Sequence, residues 1–182
     1  MKNSKNIFSV RQATTASLFC ALIIIGSYIR IPFIPPFTLQ YLFVNTAALT
    51  LGRKWGCISV VFYVLCGLAG LPVFSFGGGI ASIFSLSFGF VLGFIPCAFW
   101  AGWISEGSKD TKTLVLASSV GLFCVYLCGT VYFLLLKHLY FAEAATVTYA
   151  LSVCVLPFVI PDIAKLVLSI VLSKKLKKSK GM

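Results

Sequence analysis

Charge is what this sequence has least of. Only 10% of its 182 residues are Asp, Glu, Lys or Arg, against about a quarter in an ordinary soluble domain, and 59% are hydrophobic. That deficit excludes a soluble globular domain and leaves an integral membrane protein, with its chemistry in the spans and their short loops. Acidic residues number four and histidine one. His138 has no partner nearby in sequence, so no metal site, cofactor or enzymatic constellation is expected. A GxxxxGK[ST] phosphate loop is missing as well, so this chain is not expected to hydrolyse ATP. The seven cysteines lie inside apolar runs without a CxxC pair, and they read as small buried hydrophobes rather than metal ligands or a disulfide framework.

What is present is apolar and punctuated. Six segments separate at about 12–29, 38–52, 55–71, 80–103, 113–136 and 145–173. Residues 1–182 therefore read as one all-α membrane domain of six transmembrane helices. The second and third segments are split only by Gly52, Arg53 and Lys54, which predicts a tight helical hairpin. "IPFIPP" predicts an extended loop, because each proline pushes its predecessor out of the helical region. The first run, preceded by Lys2, Lys5 and Arg11, lacks a small-residue cleavage site and reads as a span, not a signal peptide.

The net charge of +11 raises nucleic acid as a partner, but the basic residues sit at the ends of apolar runs and in "KKLKKSKGM". They read as orientation signals and contacts to anionic lipid head groups. With the N-terminus inside, twelve Lys and Arg fall on the inner side and only Arg30 and Lys137 on the outer. This bias predicts both termini in the cytoplasm, in a multi-pass protein of the cell (inner or cytoplasmic) membrane.

One basic residue fits neither side. Lys165 lies within the last segment, three residues after Asp162, and the two project from nearly one helix face. A charge exposed to lipid there costs about 2.5–3.5 kcal/mol, so that face must turn into the bundle or a cavity. Two readings stand: a salt bridge pinning the last helix, or a ligand site. Pro157 and Pro161 favour the second, since irregular backbone at such depth is tolerated where it lines a cavity. An acceptor beside a cationic donor suits a ureido or amide group, with N–H donors and a carbonyl in one plane. Gly77, Gly78 and Gly79 form either a plain turn or a cradle of backbone N–H groups for an anion. Gln40, Asn45, Tyr63 and Tyr126 are candidates for lining a cavity or for bonding helix to helix. Ala13, Ser17 and Ala21, spaced by four, let another helix approach, within the bundle or from a partner.

The order of "FTLQ", "LGRKWGCISVVFYVLCGLAGLPVF", the glycine loop with "FGFVLGF", "YLCG" and "PFVIPDIAK" resembles the BioY family, the biotin-binding subunits of energy-coupling-factor vitamin transporters. The resemblance runs over about 32–166 and is most specific in "GLAGLPVF" and the Asp-x-x-Lys. It implies an S-component bundle of six helices that takes up biotin, with Asp162 and Lys165 at the ureido ring. It further implies Gly77, Gly78 and Gly79 near the valerate end and Tyr126 in a family tyrosine's place. Ala13, Ser17 and Ala21 become a docking surface for a transmembrane coupling subunit served by paired ATPases. The family's Pro-Gly-Asp order is replaced here by Ile160, Pro161 and Asp162. Outside the resemblance, a subunit for another vitamin, a membrane enzyme and a channel-like scaffold are the alternatives.

Overall fold

A computed structural model describes residues 10–32, 35–141 and 145–179. Among them are six α-helices: α1 Val10–Tyr28, α2 Gln40–Leu68, α3 Phe88–Ile104, α4 Thr111–Leu139, α5 Val147–Cys154 and α6 Val159–Ser179. Two short strands, β1 Arg30–Ile31 and β2 Phe37–Thr38, pair antiparallel between α1 and α2, with Arg30 opposite Thr38 and Ile31 opposite Phe37. Of the predicted extended proline loop, Ile31 lies in β1, and Phe33 and Ile34 fall outside the described residues.

α2 is two helices in one. Gly52 has φ 73° and ψ −179°, a conformation open essentially to glycine alone, and there the chain reverses. The reversal brings the Gln40 amide within 2.5 Å of the Tyr63 hydroxyl, although 23 residues separate them. The arms, 40–51 and 53–68, are about 18 and 24 Å long at 1.5 Å per residue. At Gly56 an added Cβ would lie 3.0 Å from the Cα of Ala48. The hairpin predicted at Gly52, Arg53 and Lys54 is this structure.

The fourth segment differs from its expected span. Residues Ile80–Phe84 form a 3₁₀ turn and α3 begins only at Phe88. The last segment also breaks: α5 and α6 meet at a bend of 51°. Pro161 falls in the first turn of α6, where its missing N–H has no intrahelical partner to lose.

Small residues bring the helices together. Cβ atoms added at Gly93 and Gly121 would lie 2.9 Å from the Val125 Cα and from the Cys97 sulfur, so α3 and α4 pack at close range. Outward, α4 shows Leu116, Phe123, Leu127, Val131 and Leu135, all exposed, while Ala117, Ser118, Gly121 and Val125 are buried. An apolar outer face over a small-residue interior suits a surrounding of lipid rather than water. Beneath the apolar core lies a polar knot: the Asn45 amide donates to Ser118 Oγ at 2.9 Å and to Ser169 Oγ at 2.6 Å, joining α2, α4 and α6.

The bundle has chemically distinct ends. At one, Lys177 donates to the Ser108 carbonyl at 2.8 Å, Lys174 to the Thr111 hydroxyl at 2.5 Å, and Arg53 lies 3.8 Å from Glu106. The other carries the Arg30 ladder and the loop over 69–87.

Candidate ligand site

The site lies under the ladder, where α2, α4 and α6 converge. Asp162 falls in the first turn of α6, so the positive end of that helix's dipole supports its carboxylate. One turn on, the Lys165 ammonium forms an ion pair with Asp162 Oδ1. Both residues are buried, at 6% and 7% exposure. The other carboxylate oxygen accepts a hydrogen bond from the Tyr126 hydroxyl at 2.5 Å. Lys165 also donates to the Thr38 carbonyl at 3.0 Å and stands 4.2 Å above the centroid of the Phe37 ring. A cation on an aromatic face is stabilised by the ring quadrupole, which helps hold this ammonium away from water.

Strand β2 therefore supplies two of the partners of Lys165, one from each of its residues. Phe37 in turn stacks on Phe158, with ring centroids 6.4 Å apart, in the turn leading into α6. Next along the chain, the Thr38 hydroxyl donates to Gln40 Oε1 at 3.1 Å, and the Gln40 amide reaches Tyr63. This chain of contacts ties ladder, hairpin and last helix around the ion pair.

The pair is not sealed in protein. Asp162 and Lys165 line a cavity of about 540 Å³, including its open mouth, together with Tyr126, Gln40 and Thr38. Small-molecule sites commonly combine apolar walls with a few convergent polar groups. Here the apolar walls come from Phe90, Val91 and Phe94 of α3 and from Phe158. The polar groups gather at Asp162, Lys165 and Tyr126. Such a wall offers an anionic acceptor, a cationic donor and a hydroxyl to one small polar ring. Among the described residues, no three His, Cys, Asp or Glu side chains gather as metal ligands.

The sequence model of the BioY family matches residues 1–181. This chain belongs to the BioY family. It is 40% identical over 172 residues to the biotin transporter BioY of Thermotoga maritima, covering 93% of this chain and 97% of that one. With the probable biotin transporter BioY of Pyrococcus horikoshii it shares 34% identity, over 92% and 96% of the two chains. Its fold is that of a crystal structure of the S-component for biotin from an ECF-type ABC transporter. The TM-score is 0.81 at 26% identity, over 98% of this chain and 95% of that one. The six-helix BioY fold is thus an S-component bundle.

Of the residues singled out by the BioY resemblance, Asp162, Lys165 and Tyr126 meet at one wall of the cavity, and Gln40 joins them. Gly77, Gly78 and Gly79 stand outside the lining, while Ser75 and Phe76 of the same loop are in it. Gly77 and Gly79 have positive φ, and their N–H groups donate to the Phe74 and Gly67 carbonyls. An added Cβ at Gly78 would collide with the Leu71 carbonyl. These glycines shape the loop that presents Ser75 and Phe76. Tyr63 and Asn45 are fully buried, the first bonded to Gln40, the second in the polar knot. On α1, Ser17 and Ala21 are exposed and Ala13 half-buried, facing away from the cavity.

Sequence reasoning missed Thr38, which enters through its backbone carbonyl, and Phe37. Only their place in "FTLQ" could have signalled them. The apolar wall from α3 was equally invisible, because Phe90 and Phe94 look no different from the exposed Phe99.

Proposed function

We propose that this protein binds biotin in the cavity beneath the ladder and serves as the substrate-specific subunit of an energy-coupling-factor transporter. The observation that carries the reading is the buried Asp162 and Lys165 pair, held by Tyr126 and Thr38 yet lining an open cavity. The ureido ring of biotin has two N–H donors and a carbonyl in one plane, a match for a carboxylate beside an ammonium. Its apolar rings suit the Phe90, Val91 and Phe94 wall. The names of the relatives support the same ligand.

The work done is binding and delivery, without covalent chemistry. Energy comes from paired ATPases acting through a transmembrane coupling subunit. Ala13, Ser17 and Ala21 on the outward face of α1 form the docking surface for that subunit. The crowding of basic residues at the hairpin and α6 end supports a cytoplasmic orientation for that end, with both termini on the cytoplasmic side of the membrane. Biotin then enters from the outer face, between the ladder and the glycine loop.

Titration of the purified protein with biotin tests this reading. Saturable, one-to-one binding between low nanomolar and micromolar concentrations is expected. No saturable binding in that range would remove it.

A further inference from the structure

The ion-paired wall recognises only one end of a biotin molecule, and the inference here rests on biotin being the ligand. At pH 7 the other end is a carboxylate, and the inner cavity holds no cation for it apart from Lys165, already engaged by Asp162. The cavity opens into an outer, more exposed hollow, with which it shares Pro36, Ser75, Phe76 and Ser87. Among the described residues, Arg30 is the one charged side chain in the lining of that hollow.

Arg30 is placed there by the ladder. It is the cross-strand partner of Thr38, and directly opposed residues of an antiparallel pair present their side chains on the same face. Thr38 is the residue whose carbonyl holds Lys165 and whose hydroxyl meets Gln40. One pair of opposed residues thus joins the inner polar wall to the outer hollow. The acids among the described residues are no counter-ions for Arg30: Asp162 is engaged by Lys165, Asp110 caps α4, and Glu106 faces Arg53 at the other end of the bundle.

We propose that Arg30 is a specificity-determining residue, which receives the carboxylate of the ligand's side chain while the ring lies against Asp162 and Lys165. A guanidinium presents a planar fork of donors matched to a carboxylate, and it is always charged. Because Arg30 is exposed, its contribution is modest, about fivefold in affinity at most, the upper end for an exposed ion pair.

The test compares biotin with biotinamide, which keeps the ring and has a neutral tail, on the full protein and on Arg30→Gln and Arg30→Lys. The parent should prefer the acid by up to about fivefold. Arg30→Gln should erase that preference by weakening biotin alone, and Arg30→Lys should keep part of it. Raised salt should narrow the gap in the parent and leave Arg30→Gln unmoved. The proposal falls if the parent binds acid and amide equally, or if Arg30→Gln weakens both ligands alike. Those results would leave the ring site standing. A parent that binds neither compound would instead remove the biotin reading and this inference together.

Discussion

Neutralising the buried pair one residue at a time, and then both together, separates a structural salt bridge from a ligand site. In Asp162→Asn the Lys165 ammonium would keep the Thr38 carbonyl at 3.0 Å and the Phe37 ring at 4.2 Å but lose its carboxylate. Removing one partner of a buried pair destabilises by about 3–5 kcal/mol. The aromatic face supplies about 1–2 kcal/mol to a desolvated cation in both forms, so it cancels from the difference. The double variant Asp162→Asn with Lys165→Met leaves no unpaired charge, and its stability should return to within about 1 kcal/mol of the parent. Binding should behave differently. Each charge-assisted hydrogen bond to the ligand contributes about 1.5–3 kcal/mol, so each single variant should bind biotin at least about tenfold more weakly, and the double variant about a hundredfold. Thermal unfolding in detergent and equilibrium binding of labelled biotin read the two quantities on the same samples. A purely structural pair predicts that binding returns together with stability. A stable double variant that holds biotin as the parent does would refute the reasoning.

Four further outcomes follow. Tyr126→Phe deletes the hydroxyl at 2.5 Å from Asp162 and should weaken biotin by about tenfold with the fold intact; unchanged affinity would remove Tyr126 from the site. Gly52→Ala forces a side chain into φ 73° and ψ −179°, and should destabilise by about 1–3 kcal/mol in thermal unfolding, whereas a parent-like melting temperature would contradict the hairpin geometry. Asn45→Ala should lose about 0.6–2 kcal/mol of stability by opening the knot of α2, α4 and α6, and an unchanged unfolding curve would show the knot to be idle. Ser17→Trp, on the exposed face of α1, should leave biotin affinity untouched while blocking uptake in cells that carry the coupling subunit and its ATPases. Normal uptake would rule out that face as the docking surface.

The parts legible in the sequence were those where a residue type is out of place in its surroundings. Asp162 and Lys165 stood out because charge in an apolar run needs a partner, and Gly52 with Arg53 and Lys54 stood out because they interrupt one. Gln40 and Tyr126 were visible for the same reason. What stayed hidden depends on backbone atoms and distant contacts. The Thr38 carbonyl carries no side-chain signature, and Phe37 comes beside Lys165 only because a ladder of two short strands folds over the cavity. The 3₁₀ turn at Ile80–Phe84 cannot be told from a span in the sequence, because its residues are as apolar as those of α3. Likewise the break between α5 and α6 is set by a bend of 51° inside a continuous hydrophobic stretch. The anchorage of the glycine loop is tertiary as well: Ser27 of α1, fully buried, donates to the Val73 carbonyl at 2.7 Å.

A crystal structure of the protein with biotin bound tests the central claim most directly. The account predicts the ureido ring within hydrogen-bonding distance of the Asp162 carboxylate and the Lys165 ammonium, with Tyr126 still on the carboxylate. A ring bound elsewhere, with Asp162 and Lys165 still closed on each other, would contradict it.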